Sequence, residues 1–141
     1  MNKFSNSEPT ASNWQEQLEL LNSFRLELYS LALEMTLLLR SHNENRWEQI
    51  YSNFAEMINN AKSNRQRLKA IHYIHSIYGG MGSWNDFYLL ALGEAEEKRM
   101  SLGNAIYNLA EKMKVQIITG PEEPKRSIWQ KLKLRSFKSL L

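Results

Sequence analysis

Residues 12–41 read SNWQEQLELLNSFRLELYSLALEMTLLLRS. Apolar residues recur at Trp14, Leu18, Leu21, Phe24, Leu28, Leu31, Met35 and Leu38, always three or four positions apart. That spacing lays one apolar stripe along a helix of 3.6 residues per turn. No Pro or Gly interrupts the run before Ser41. Ser12-Asn13-Trp14-Gln15 has the S-x-x-Q form of a capping box, so the helix is expected to begin near Ser12. About 28 residues at 1.5 Å each make roughly 40 Å. So long a helix in so short a chain dictates an all-α bundle with this helix as its spine. Its apolar seam also points to a homodimer through the first helix, because an open seam leaves a large apolar patch in water.

Further along, the polar cluster Ser41-His42-Asn43-Glu44-Asn45 reads as a turn. A second helix carries Trp47, Ile50, Tyr51, Phe54, Met57 and Ile58 and ends near Asn59-Asn60. A third is expected from about Asn64 to Tyr78, with Leu68, Ile71, Ile74 and His75 on one face and Gly79 closing it. Ser83-x-x-Asp86 suits the cap of a short helix over Trp84 to Leu92. Gly93 then permits a bend, and Glu94 to Arg99 read as a charged connector. A last helix carries Leu102, Ile106, Leu109, Met113 and Ile117 until Gly120-Pro121 stops it. The expectation is an all-α, four- to five-helix bundle with a long N-terminal helix. Residues 1–12 form a flexible leader, 13–120 a single helical domain and 121–141 a basic C-terminal tail. Its core is expected to hold Leu21, Phe24, Leu28, Leu31, Trp47, Ile50, Phe54, Leu68, Ile71, Ile74, Leu89, Ile106 and Leu109.

Composition narrows the function classes. A 43% hydrophobic and 11% aromatic chain of 141 residues can bury one core. The absence of cysteine removes disulfides, thiolate metal sites and a Cys nucleophile, and fits a cytoplasmic protein. No run approaches the length of a membrane span, and the polar first residues do not read as a secretory signal. The formal charge of +3 hides an asymmetry. Residues 125–141 hold six of the 18 lysines and arginines and none of the 15 acids, so the tail is +6 and the rest −3.

Gly79-Gly80-Met81-Gly82-Ser83-Trp84-Asn85-Asp86 gathers three of the six glycines into four positions. Together with Tyr78 and the following Phe87, Tyr88 and Leu89, this stretch resembles the signature of a small uncharacterised bacterial helical family. Members of that family carry GGMGS, an apolar residue, Asn-Asp and an aliphatic. A Trp-containing helix lies upstream, matched here by Arg46-Trp47-Glu48, and a short helix downstream, matched by Asn104 to Met113. The resemblance covers about residues 45–113. Trp84 and Phe87 depart mildly from the family's usual choices. The family has no assigned activity, so the resemblance supplies no catalytic residues. What it implies is an accessory or immunity-type protein of a bacterial conflict system.

Three readings of the glycine turn stand. Its glycines allow a tight reversal, with Met81 and Trp84 pinned into the core and Asn85 and Asp86 bonding local backbone. The eight residues Gly79 to Asp86 otherwise form a partner-recognition surface. An anion site at a helix N-terminus is the third reading, although the next basic residue is Lys98 and neither phosphate-loop pattern is present. His72 and His75 share a helix face, but a zinc site needs further ligands, and none but His42 and scattered carboxylates stands in the sequence. They read as one exposed and one packed histidine. Asp86 is the sole aspartate, and the glutamates sit on polar helix faces. No acid–base pair, catalytic residue, metal site or cofactor is therefore expected.

In the tail, Lys125, Arg126, Lys131, Lys133, Arg135 and Lys138 alternate with apolar residues that include Trp129. Wound as a helix this is a basic amphipathic segment, suited to an anionic membrane or a partner's groove. It equally suits phosphates with Trp129 stacked on a base, or packing on the acidic body. The leading expectation is a non-enzymatic, protein-binding immunity, inhibitor or defence-accessory protein. Its alternative is a nucleic-acid- or membrane-associated adaptor working through the tail.

Overall fold

The computed structural model describes residues 11–79, 82–89 and 93–125. Among these residues four α-helices follow in chain order: α1 (Trp14–Ser41), α2 (Asn45–Asn60), α3 (Asn64–His75) and α4 (Glu94–Thr119). A 3-10 turn, Trp84–Asp86, lies between α3 and α4. α1 packs on α2 and α4, and α3 packs on the same two helices, which closes a ring. There is no strand among the described residues. The molecule is the expected helical bundle with its long first helix.

The cap of α1 is shifted by one residue from the expected box. Asn13 is the N-cap, and its side chain accepts the Glu16 N–H at 3.0 Å. The Glu16 carboxylate in turn accepts the Ser12 N–H at 2.9 Å and the Ser12 hydroxyl at 2.8 Å. A carboxylate is the stronger acceptor, and negative charge is favoured at a helix N-terminus, so Glu16 wins over Gln15. At the other end Asn43 takes the left-handed conformation (φ 59). Glu44 N–H donates to the Leu39 carbonyl and Asn43 N–H to that of Arg40, a Schellman closure that turns the chain into α2.

The stripe read from the sequence is buried where it matters. Leu21, Phe24, Leu28 and Met35 of α1 meet Trp47, Phe54, Ile71, Ile74, Leu89, Ile106 and Leu109 in one core. Leu31, Ile50 and Leu68, expected in that core, are only partly buried at its margin. The seam of α1 is thus filled by α2 and α4 of the same chain. Tyr51 and Ile58 are also fully buried. At one end a reciprocal amide pair ties α1 to α4. Gln17 donates to the Gln116 carbonyl at 3.0 Å, and the Gln116 side chain donates to Gln17 Oε1 at 2.6 Å.

α3 is the anomaly that shapes the molecule. α4 runs antiparallel to α1, with Gln116 beside Gln17 and Lys98 beside Glu34. Both helices are more than twice the length of the 12-residue α3. α3 starts level with the end of α4, where Asn64 N–H donates to Glu123 at 3.1 Å. It therefore lines only half of the bundle, and the segment after it covers the other half. Here the structure corrects the sequence reading. The helix expected over Trp84 to Leu92 does not form in its described part: after the 3-10 turn, Phe87 to Leu89 form no regular element, and the Ser83 side chain makes no capping bond; residues 90–92 lie outside the described residues. Glu94 to Arg99 are not a connector but the first turns of α4, with Glu94, Glu96 and Glu97 at its N-terminus. α3 itself stops at His75 rather than Tyr78.

Candidate functional site

The replacement segment is anchored by its tryptophan. Trp84 is 3% exposed and meets Trp47 edge-on at 5.2 Å, Tyr51 at 4.8 Å and Phe87 at 5.4 Å. The Arg99 guanidinium lies over the Trp84 ring at 4.7 Å and over Phe87 at 5.2 Å. The same guanidinium grips Glu96 with two hydrogen bonds, Nε to Oε1 at 2.8 Å and Nη2 to Oε2 at 2.7 Å. Glu96 Oε1 also accepts the Leu89 N–H at 2.8 Å. One ion pair on α4 therefore clamps both the ring and the backbone of the segment. The Arg99 bonds, helped by the Leu89 N–H, hold the Glu96 carboxyl below its usual pKa against the opposing effect of burial.

α4 makes room for the tryptophan at Gly103, where an added Cβ would stand 2.7 Å from Trp84 Nε1. Tyr78 closes the contact from the other side. Its hydroxyl donates to the Gly103 carbonyl at 2.8 Å and so accepts from the Tyr51 hydroxyl at 2.9 Å. Burial pushes the pKa of both phenols up, most strongly for Tyr51.

The turn splits into an inner and an outer face. Ser83 and Trp84 are buried, whereas Gly79, Gly82, Asn85 and Asp86 are exposed. Gly79 (φ 136) and Gly82 (φ 74) adopt backbone conformations that side chains disfavour. Asp86 Oδ2 accepts the Gly82 N–H at 2.9 Å, the local bond expected of it. Gly80 and Met81 lie outside the described residues. So do Arg126, Trp129, Lys131, Lys133, Arg135 and Lys138 of the tail; Lys125 is described and exposed.

Beside this outer face a cleft opens toward solvent, with a volume of about 220 Å³, lined by Tyr78, Asn85, Asn104, Tyr107 and Asn108. Its walls are fixed. Tyr78 is held as described, and the Tyr107 ring packs between His75 (4.4 Å) and Tyr78 (5.1 Å). The three asparagine side chains have no hydrogen-bond partner among the described residues. Three free carboxamides on a rigid frame offer donors and acceptors without charge. Sequence reading singled out Asn85 but missed Asn104, Tyr107 and Asn108. The signal was present: positions i, i+3 and i+4 share one helix face, and this one lies opposite the apolar stripe of α4.

His72 is exposed and His75 is partly buried, with Nε2 donating to the Tyr107 carbonyl at 3.2 Å. No group of three metal-ligating side chains occurs among the described residues.

Residues 40–96 match the family model of a domain of unknown function, DUF6966. The matched stretch holds Trp47, Tyr51, Tyr78, Trp84, Asn85 and Phe87, that is, the aromatic anchor and one wall of the cleft. It supports the resemblance to an uncharacterised family over that span. Arg99, Gly103 and the asparagines of α4 lie beyond the DUF6966 match. No curated protein and no solved structure matches the chain significantly.

Proposed function

We propose that this chain is a non-enzymatic binding protein of bacterial or phage origin, working in the cytoplasm. It acts by occupying a partner protein's surface, as immunity, inhibitor and defence-accessory proteins do. The observation that carries this reading is the preformed cleft beside the glycine turn, whose free carboxamides are set on rigid walls. Asn85 and Asp86 extend the contact surface, while Trp84 and Ser83 act beneath it by holding the turn. Among the described residues the cleft is lined by amides and phenols and no carboxylate, which suits recognition better than acid–base chemistry. No helix among the described residues is long and apolar enough to cross a membrane.

Capture of the tagged full chain from its host, with nuclease, tests the reading. A stoichiometric protein partner is expected with the wild type and not with Asn85→Ala/Asn108→Ala. Capture of no protein partner, or of one indifferent to both substitutions, overturns it. The runner-up, an adaptor for nucleic acid or anionic membrane, rests on the six basic residues of the tail. It predicts binding that falls steeply with salt and is lost from a 1–124 truncation. A homodimer through α1 is compatible with either.

A further inference from the structure

The cleft lies along one face of α4. Asn104 and Asn108 are one helical turn apart, so their carboxamides leave the helix about 6 Å apart along its axis. An extended peptide repeats its outward main-chain amides every second residue, at about 6.6 Å. The two spacings agree within the reach of a side chain. Each carboxamide has a donor and an acceptor, matching the N–H and C=O that every second residue of an extended chain presents on one edge, and all three line one open cleft, Asn85 from the turn. Among the described residues no Lys, Arg, Asp or Glu lines the cleft, which argues against a phosphate or carboxylate ligand. Its volume of about 220 Å³ falls short of the roughly 300–1,000 Å³ of pockets that enclose a small molecule. Openness and modest volume suit a chain that crosses the cleft.

We infer that this cleft grips the main chain of an extended segment of the partner protein. Asn104 and Asn108 pair with the N–H and C=O of residues two apart, Asn85 closes from the turn, and Tyr107 supports the residue between them. The inference rests on the protein-binding reading above and names the form in which the partner is held. Recognition is directed at the backbone, so it tolerates many sequences but not a missing N–H.

The test uses the full chain and a displayed library of random 12-residue peptides. Selected peptides are measured by calorimetry against the wild type, Asn104→Ala, Asn108→Ala and Asn108→Asp. Both sites are exposed, so the three variants are expected to melt like the wild type, which a thermal scan checks. Each is expected to lose at least tenfold in affinity; Asn108→Asp keeps the shape and removes two donors. N-methylation of a bound peptide at two positions two residues apart should abolish binding, and alanine at those positions should not. Failure to select any peptide, equal affinity for all variants, or sensitivity to side chains alone overturns the inference. So does Asn108-dependent binding of adenosine or a monosaccharide in place of peptide. A host partner lost with Asn108→Ala but not displaced by selected peptides would leave the protein-binding reading standing and this inference overturned.

Discussion

At the scale of single residues, Gly103 separates two opposing effects. Alanine in a helix interior ordinarily gains up to about 1 kcal/mol over glycine. Here its Cβ would press on a buried indole packed against Trp47, Tyr51 and Phe87. Overpacking of this kind costs about 1–3 kcal/mol and outweighs the helix gain. Gly103→Ala is therefore expected to lower the urea midpoint, with an unchanged slope. Ser83 gives the opposite sign. Its hydroxyl is buried without a hydrogen-bond partner among the described residues. Ser83→Ala removes an unmet polar group and is expected to be neutral or stabilising in the same titration. A loss of more than about 1 kcal/mol would mean that the hydroxyl has a partner. Neither effect is legible in the sequence, where Gly103 sits unremarked in a helical run and Ser83 reads as a cap.

At the scale of elements, the decisive event is that α3 stops early and an irregular segment replaces its second half. What could be read from sequence was the periodic part. The apolar steps of α1 and of Leu102 to Ile117 mark true helices because burial follows their period. Trp84 to Leu89 defeated that method because its stability is tertiary: an indole among three aromatic rings, and a backbone N–H bound to a carboxylate on another helix. The start of α4 defeated it too, because a buried arginine reads as solvated charge until its partner and its ring are seen. The Glu96–Arg99 clamp predicts a pH dependence. The folded-state pKa of Glu96 is depressed. Its contribution is therefore present above the ordinary value of 4.5 and is lost as pH falls through the lower folded value. Glu16, whose pKa its Ser12 bonds also lower, titrates with the same sign. Glu96→Gln should flatten the acid side of the stability–pH curve without abolishing it, as urea midpoints between about pH 3 and 6 will show. An unchanged acid limb would mean that the clamp does not hold the segment in solution.

For the whole molecule, the question is what the outer side of α1 does. Its apolar seam is spent internally, so the argument for a dimer moves to the opposite face. Leu26, Leu33 and Leu37 stand there, exposed by 58%, 40% and 60%. They span 12 residues, about 16 Å of helix. A stable interface buries about 800 Å² on each partner, which three partly exposed leucines do not supply by themselves. Residues 1–124 also carry a formal −3, so two bodies repel at low salt. A homodimer through α1 is therefore expected to be weak, appearing above micromolar concentration and strengthened by salt. Sedimentation equilibrium of the full chain should show a rise in mass that Leu33→Glu/Leu37→Glu removes, while the melting temperature stays within a few degrees because both positions face water. A tight dimer that survives the double substitution would place the interface elsewhere. A monomer at every concentration would leave the leucine face to the protein partner, and its capture by wild type and double variant would then decide whether that partner spans both α1 and the cleft.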